Sequence, residues 1–481
     1  MIKTPLAVLQ KYFHYSFFRP NQEKIIQAIL DKKSILAIMP TGGGKSICFQ
    51  IPGLIFDGLT LVISPLISLM KDQVDQLEKL GISATYLNSS LSKEQLNQTL
   101  KEIANQKYKF IYLAPERLLK TDFLELCQKI NISFVVIDEA HCLSLWGHDF
   151  RPSYLNILAF IKLIKQKPTI SAFTATANNE TKNDLLKQLN LSPKNVFCQS
   201  FMKENLTIVV NSCRSVEEKN LNLFKIISQH SHENGIIYVT TKRQAEILTK
   251  IINQVEFFKK PCYFYHGALE KEKKNLVQEL FLTNKTSLIV ATNAFGMGIN
   301  KSNINYIVHY QIPSNLENYY QEIGRAGRDQ SQANCYLLYY EKDLKINFNF
   351  INQPHLLPER KKILYQKLEY MQKFCLTQKC RMQFILHYFN EITKTKCLKC
   401  DNCCLPIKEK SKNVSFKIFL SKLSLKKNCH PYLILNNTQQ QLILLLKPQT
   451  QNQYLKIPGI GDGWLKEFYS DFQNFFINNK K

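Results

Sequence analysis

The sequence predicts an α/β protein built on parallel, doubly wound sheets, and three observations lead to that prediction. Short apolar runs typical of buried strands recur in the first half of the chain, at residues 59–63, 110–113 and 134–137. Helix-like stretches separate these runs, as at residues 66–80. A glycine-rich turn lies between an apolar run and a helix-like stretch near the beginning. Strands that alternate with helices favour a parallel sheet.

The glycine-rich turn is residues 39–46, Met-Pro-Thr-Gly-Gly-Gly-Lys-Ser. Strand, glycine turn and helix form a geometry that binds phosphate, because backbone N–H groups and the helix N-terminus point at the anion. Met39 stands where the general motif has its first glycine. This departure resembles the helicase variant of the loop rather than that of a kinase or small GTPase. We expect a cradle with a lysine for the β/γ-phosphates and a serine for Mg²⁺, formed by Thr41, Gly42, Gly43, Gly44, Lys45 and Ser46.

An acidic pair follows the third apolar run, in residues 138–141, Asp-Glu-Ala-His. A carboxylate at the carboxyl end of a buried strand can hold Mg²⁺, and a second one beside it can deprotonate an attacking water. We therefore assign Asp138 to the metal and Glu139 to the general base.

The chain has 481 residues, enough for two or three domains, and a formal charge of +25. Residues 355–481 contain 22 Lys and Arg against 8 Asp and Glu, so a quarter of the length carries more than half of the net charge. The positive electrostatic field of such a chain suits a polyanionic partner such as nucleic acid.

No apolar run approaches the roughly 18 residues of a membrane span, and residues 1–15 lack the apolar core of a signal peptide. We expect no membrane partner and a cytoplasmic location of the bacterial, nucleoid-associated type. The 14 cysteines are accordingly expected to be reduced thiols or metal ligands.

Four of the cysteines, Cys380, Cys397, Cys400 and Cys403, have the spacing C-x16-C-x2-C-x2-C. Four thiolates with short gaps fit a closed, tetrahedral Zn²⁺ site. An iron–sulfur cluster is the main alternative. Cys375 and Cys404 are spare thiols, either of which could replace a ligand.

Taken together, these segments resemble the RecQ family of DNA helicases over nearly the whole chain. The resemblance rests on residues 18–22 (Phe-Arg-Pro-Asn-Gln), the loop through Ser46, residues 64–72, 114–117, 138–141 and 174–177, the aromatic-rich loop 141–152 (His-Cys-Leu-Ser-Leu-Trp-Gly-His-Asp-Phe-Arg-Pro), residues 292–300 and 321–328, and the cysteine cluster.

The resemblance implies two RecA-like parallel-sheet lobes of helicase superfamily 2, a helical zinc-binding subdomain and a small all-α C-terminal domain. We place these at residues 1–204, 205–342, 343–406 and 416–481, with a linker at 407–415. The last segment resembles the helical domain shared with RNase D. We expect the winged-helix domain that usually follows the zinc subdomain in the family to be missing at this point, because residues 405–415 have the composition of a polar, Lys-rich linker.

The resemblance also implies roles for single residues. Tyr15 and Gln22 would contact the adenine of ATP, and Arg19 would also belong to the cofactor-binding site. Arg328, with Arg325 beside it, would be the arginine finger. The aromatic-rich loop would report single-stranded DNA to the ATP site through His141, Trp146, Phe150 and Arg151, since aromatic faces stack on unpaired bases.

We therefore expect a helicase that uses ATP, Mg²⁺ and Zn²⁺ and moves 3′ to 5′ on single-stranded DNA in recombination and repair. Its expected partners are single-stranded and tailed duplex DNA, with single-strand-binding and recombination proteins. A DNA-stimulated translocase with little unwinding, a nucleic-acid binding or annealing protein, and action on RNA remain alternatives.

Overall fold

The structure is a computed structural model that describes residues 4–40, 42–165, 167–254, 260–296, 301–404, 413–427, 429, 431–446 and 448–478. Among these residues, no helix is both long and apolar enough to cross a membrane. All 14 cysteines lie in the described part of the chain and none forms a disulfide. The prediction of reduced thiols or metal ligands agrees with this.

The first lobe is a seven-stranded parallel sheet with the order β3-β4-β2-β5-β6-β1-β7. Its strands are β1 (Ile35–Ile38), β2 (Leu59–Ile63), β3 (Ala84–Leu87), β4 (Phe110–Leu113), β5 (Ile132–Ile137), β6 (Thr169–Thr174) and β7 (Val196–Cys198). The helices are α1 (Pro5–Val8), α2 (Gln22–Leu30), α3 (Lys45–Ile55), α4 (Ile67–Lys79), α5 (Lys93–Ala104), α6 (Thr121–Cys127), α7 (Leu155–Leu163) and α8 (Asn179–Gln188).

Both faces of this sheet are covered, which explains why its strands are continuous apolar runs rather than alternating ones. In β5, Phe134 and Val136 pack into one apolar cluster, whereas Val135 and Ile137 pack into another on the opposite face. The carboxyl ends of β1, β6 and β5 lie side by side, so the loops that follow them meet at one edge of the sheet. This edge carries the glycine-rich turn of residues 39–46, called the phosphate loop below, and the acidic pair Asp138 and Glu139.

The second lobe is a six-stranded parallel sheet with the order β10-β11-β9-β12-β13-β8. Its elements are β8 (Leu206–Ser212), α9 (Val216–Gln229), β9 (Gly235–Tyr238), α10 (Lys242–Gln254), β10 (Tyr263–Tyr265), α11 (Lys271–Leu282), β11 (Leu288–Ala291), β12 (Tyr306–His309), α12 (Leu316–Ile323) and β13 (Ala333–Tyr339). The predicted α/β class with two parallel-sheet lobes is confirmed.

A helical region follows, with α13 (Leu344–Ile351), α14 (Pro358–Leu376) and α15 (Arg381–Tyr388) before the cysteine-rich turn. This region packs on both the second lobe and the connection between the lobes. Phe389 stacks on Phe201 at 4.2 Å, and the Glu391 carboxylate accepts hydrogen bonds from the Ser200 hydroxyl and the Phe201 N–H. The zinc region therefore contacts the connection between the lobes directly.

The C-terminal segment is helical, as predicted, with α16 (Asn413–Lys426), α17 (Pro431–Ile434), α18 (Asn437–Leu446), α19 (Gln451–Leu455) and α20 (Asp462–Asn478). Its α18 lies against α9 of the second lobe, and apolar side chains of both parts form one cluster. Eight residues, 405–412, separate it from the zinc region and lie outside the described residues. The resemblance to the RNase D-type domain and the exact domain boundaries stay predictions.

Candidate nucleotide site, zinc centre and aromatic loop

The phosphate loop joins β1 to α3 in the predicted order. Gly44 precedes the first residue of α3 with φ of 79°, and a Cβ at this position would lie 2.3 Å from Gln22 Nε2. Gln22 is buried and donates to the Gly44 carbonyl at 3.2 Å, while the Arg19 guanidinium donates to the Gly42 carbonyl at 2.5 Å. The Arg19–Gln22 segment therefore braces the loop from outside. Thr41 lies outside the described residues.

The acidic pair lies next to the lysine of the loop. Lys45 Nζ is 3.5 Å from Glu139 Oε1, and each side chain is 18% exposed. Shielding from water, together with the neighbouring Glu139 carboxylate, raises the pKa of Asp138 to about 6. Ser46 is the second residue of α3 and is half-buried. Ser46 and Asp138 offer the hard oxygen ligands that Mg²⁺ prefers, but their role as ligands stays a prediction.

A cavity of about 820 Å³ opens beside the loop, between the two lobes. Its walls include Tyr15, Arg19, Gln22, Gly42, Gly43 and Gly44 from the first lobe and Lys203 and Arg328 from across the cleft. Tyr15 is 54% exposed, so its ring is free to stack on a planar ligand. Within the described part of the chain, all the predicted cofactor-binding residues except Lys45 and Ser46 thus line one cavity.

Three cations face this cavity: Arg19, Lys203 and Arg328. Burial and repulsion from the two arginines lower the pKa of Lys203, and burial with repulsion from Arg325 lowers that of Arg328 to about 10. Cations that are crowded and shielded in this way favour a polyanion between them. Sequence reasoning missed Lys203, which belongs to the connection between the lobes and to no motif that we identified.

The two predicted finger arginines occupy different surroundings. Arg325 is buried and donates a hydrogen bond to the Gly296 carbonyl inside the second lobe, whereas Arg328 lines the cavity. In this conformation Arg328 is the one of the pair placed toward the phosphate loop. Arg325 is placed to hold the segment after β11.

The aromatic-rich loop, residues 141–152 and called the aromatic loop below, begins two residues after Glu139. His141 Nδ1 lies 2.9 Å from the Thr174 hydroxyl and 3.3 Å from Glu139 Oε2, and its ring stacks on His148 at 4.0 Å. Burial and nearby cations lower the pKa of His141 to about 3, so its ring is neutral at neutral pH. A continuous set of contacts therefore joins Glu139 to the middle of the loop.

The rest of the loop is shaped to present an aromatic side chain. A Cβ on Gly147 would lie 1.9 Å from the His141 carbonyl oxygen, so only glycine allows the chain to fold back there. Arg151 binds the Asp149 carboxylate through two nitrogens and donates to the Pro65 carbonyl at 2.8 Å. Trp146 is 38% exposed and Phe150 is half-buried. The coupling roles of these residues stay predictions.

The cysteine cluster brings together Cys380, Cys397, Cys400 and Cys403, whose sulfur atoms all lie within 4.8 Å of one another. The Sγ–Sγ distances are 3.9 Å between Cys397 and Cys403 and 4.0 Å between Cys380 and Cys400. Tetrahedral zinc with bonds of about 2.3 Å requires sulfur separations of about 3.8 Å. The Cys397 N–H and the Arg381 N–H point at Cys380 Sγ and Cys400 Sγ, which favours thiolates.

The cluster is also anchored to the second lobe. Arg381 forms a two-point ion pair with Asp401, which in turn accepts from the Val210 N–H of β8. Cys375 and Cys404 lie outside the four-sulfur group. The residues present therefore fit zinc with the four predicted ligands.

A second cavity, of about 740 Å³, lies at the carboxyl ends of β9, β11 and β12 in the second lobe. The N-terminus of α10, with Lys242 and Arg243, opens into it, as do Thr292, Asn293 and Asn318. Positive charge and amide donors at a helix N-terminus suit the phosphates of a nucleic-acid strand.

Two parallel-sheet lobes that enclose a phosphate loop, an acidic pair and an arginine from the second lobe define a nucleoside-triphosphate-driven motor of helicase superfamily 2. Comparison with known families agrees. The DEAD/DEAH box helicase model matches residues 19–185, the helicase conserved C-terminal domain matches 218–330, and the RecQ zinc-binding model matches 341–404.

Among curated proteins, the ATP-dependent DNA helicase RecQ of Bacillus subtilis (strain 168) is 42% identical over 406 residues, which span 84% of this chain and 67% of that protein. The RecQ of Haemophilus influenzae is 37% identical over 470 residues, spanning 97% of this chain and 74% of that protein. The chain belongs to the RecQ family of ATP-dependent DNA helicases.

Among solved structures, S. cerevisiae Dbp5 bound to RNA and ADP BeF3 is similar with a TM-score of 0.58 and 16% identity, covering 76% of this chain and 97% of that one. This likeness shows the two-lobe fold. The family and its domains establish an ATP-dependent helicase that acts on DNA and carries a zinc-binding region, so zinc rather than an iron–sulfur cluster is the metal of the four cysteines.

Proposed function

We propose that this enzyme moves 3′ to 5′ along single-stranded DNA and unwinds tailed duplexes in DNA recombination and repair, in the cytoplasm of a bacterial-type cell. Single-strand-binding and recombination proteins are its proposed partners. The observation that carries the proposal is the set of contacts from Glu139 through His141 and His148 into the loop that exposes Trp146. These contacts connect the acidic pair to the loop that carries Trp146, which supports a link between DNA stacking on Trp146 and the proposed ATP site.

In the proposed reaction, ATP lies in the cavity of the cleft with its adenine near Tyr15 and Gln22 and its phosphates in the glycine cradle. Lys45 neutralises the phosphates, and Glu139 accepts the proton of the attacking water. Ser46 and Asp138 would hold Mg²⁺, which supplies charge neutralisation when bound. Arg19, Lys203 and Arg328 surround the polyphosphate with positive charge.

Closure of the lobes would bring Arg328 toward the charge that develops during phosphoryl transfer. In this proposal the second lobe binds a DNA strand at Lys242 and Arg243. The same closure would change the distance between this site and the aromatic loop of the first lobe. Alternating closure and opening would move the strand, which is the proposed basis of translocation.

Arg328→Ala is expected to reduce the rate of ATP turnover by about 10³-fold, because an arginine finger acts mainly on the transition state. The affinity for ATP should fall much less. Steady-state kinetics with saturating DNA, together with nucleotide binding at equilibrium, separate the two effects. An equal loss in binding and turnover would make Arg328 a binding residue. Lys194→Ala, at an exposed lysine on the first lobe, is a matched control.

Trp146→Ala is expected to abolish most of the stimulation of ATP hydrolysis by DNA. The affinity for single-stranded DNA should fall by only about tenfold, since one stacking contact contributes about 1–3 kcal/mol. Titrating ATPase activity and fluorescence anisotropy with the same oligonucleotide measures both. Unchanged stimulation would show that the loop is structural.

The alternative functions differ in which duplexes the enzyme separates and in whether it hydrolyses ATP. ATPase activity and strand displacement measured in parallel on tailed DNA and RNA duplexes test the proposal. Stimulation without displacement would favour a translocase with little unwinding, and displacement of both duplexes would extend the substrate to RNA. ATP-independent annealing without hydrolysis would favour a binding or annealing protein.

A further inference from the structure

A helix of the zinc region touches the aromatic loop of the first lobe. Arg360, in the first turn of α14, donates hydrogen bonds to the carbonyl oxygens of Leu145 and His148, the second at 3.4 Å. These carbonyls flank Trp146 on both sides. Arg360 is 8% exposed, so its guanidinium has exchanged water for these two carbonyls.

The same face of α14 also holds the second lobe. Lys367 lies seven residues after Arg360, two helical turns further along, and forms an ion pair with Glu317 of α12. The side chains of Lys367 and Glu317 are 6% and 2% exposed. α12 leads directly into the segment with Arg325 and Arg328. One face of α14 thus contacts both the aromatic loop of the first lobe and α12 of the second lobe, the helix that precedes Arg328.

Two carboxylates lie near the buried cations of this face. Burial lowers the pKa of Arg360, and the nearby carboxylates of Glu317 and Asp149 offset part of this cost of burying its charge. Burial and the neighbouring His141 lower the pKa of His148 to about 3, so its ring is neutral at neutral pH. Breaking a buried contact of this kind leaves a charge or carbonyl unpaired, so the arrangement favours discrete rather than graded positions of the loop.

We infer that Arg360 is a positioning residue that holds the Trp146 loop in register with the second lobe, so that α14 transmits lobe closure to the DNA-sensing loop. The inference rests on the proposed coupling role of Trp146 and extends it to a residue outside both lobes. A planar guanidinium is suited to this because it reaches two carbonyls in a fixed geometry, which an ammonium group cannot do.

The position of the loop can be measured without DNA or ATP. Trp146 and Trp464 are the two tryptophans of the chain, so a Trp464→Phe background leaves Trp146 as the single reporter. In that background Arg360→Ala should increase the quenching of Trp146 fluorescence by acrylamide. It should also lower DNA-stimulated ATPase activity by about tenfold, a typical effect of residues that carry coupling, while activity without DNA and zinc content stay unchanged.

Two further variants complete the test. Lys362→Ala removes the same charge from an exposed position of α14 two residues away and should match the background protein. Arg360→Lys keeps the buried charge but not the two-point geometry, and should give an intermediate loss. If Arg360→Ala fails to retain zinc, the inference is tested by comparing Arg360→Lys with Lys362→Ala in the same two measurements.

Quenching and stimulation at the level of Lys362→Ala would overturn the inference. The proposed function is judged separately by Trp146→Ala. Loss of stimulation in Trp146→Ala with full stimulation in both Arg360 variants would overturn the inference and leave the proposed function standing. Full stimulation in Trp146→Ala would overturn the coupling role of the loop itself, and with it the inference.

Discussion

Lys45→Ala is expected to reduce ATP turnover to background, a loss of at least about 10³-fold. The lysine provides the positive charge at the bottom of the glycine cradle, and in a shielded site such a charge is costly to remove from a phosphoryl-transfer reaction. Its loss also leaves the Glu139 carboxylate, 3.5 Å away, without its cation. Binding of single-stranded DNA should remain near that of the wild type, because the basic surfaces of the second lobe and the C-terminal quarter are untouched.

The measurement is ATP hydrolysis with and without oligonucleotide, beside DNA affinity at one fixed salt concentration. Lys24→Ala is a matched control, since Lys24 is an exposed lysine on α2, the helix that braces the loop. Normal hydrolysis by Lys45→Ala would contradict the assignment of residues 39–46 as the phosphate site.

Cys397→Ser is expected to remove most of the bound zinc and to destabilise the zinc region. A four-ligand site contributes about 10–16 kcal/mol of apparent binding free energy in small zinc domains, and that energy is coupled to folding. Here the cluster orders Arg381 and Asp401, which attach it to β8. Its loss should therefore loosen the zinc region from the second lobe and lower the melting temperature.

Elemental analysis should find one zinc per chain in the wild type and much less in the variant. Cys404→Ser is the control, because this exposed thiol lies one residue after a ligand but outside the four-sulfur group. Retention of full zinc by Cys397→Ser would remove Cys397 from the ligand set. Iron in a stoichiometric amount would contradict the zinc assignment.

The sequence predicted best the parts of the site that are local. The phosphate loop, the acidic pair after β5 and the C-x2-C-x2-C turn are short segments whose function follows from the spacing of neighbouring residues. Strands β2 and β4 were predicted with their observed bounds for a similar reason, since sheets covered on both faces produce continuous apolar runs.

Contacts made across the tertiary fold could not be predicted in this way. Lys203 is an isolated lysine in the connection between the lobes, and its place at the cavity depends on how the two sheets pack. Arg360 and the Glu317–Lys367 pair join segments that are 50 to 215 residues apart in the chain. The local sequence pattern of a basic helix does not distinguish such buried charged residues from ordinary surface residues.

The separation of Arg325 from Arg328 has the same origin. Their spacing of three residues places both near one face of a helix, but α12 ends at Ile323 and the chain turns before either arginine. Gly296, whose missing side chain leaves room for the Arg325 guanidinium, decides where that arginine points. This choice depends on packing between β11 and α12 and not on the motif itself.

The central claim is that ATP hydrolysis drives movement 3′ to 5′ on DNA and separates strands. Strand displacement measured on 3′-tailed, 5′-tailed and blunt DNA duplexes, with Lys45→Ala beside the wild type, tests it most directly. We expect ATP-dependent displacement of the 3′-tailed duplex, little displacement of the other two, and none by Lys45→Ala. Displacement of the 5′-tailed duplex in preference to the 3′-tailed one, or DNA-stimulated hydrolysis with no displacement of the 3′-tailed duplex, would contradict the claim.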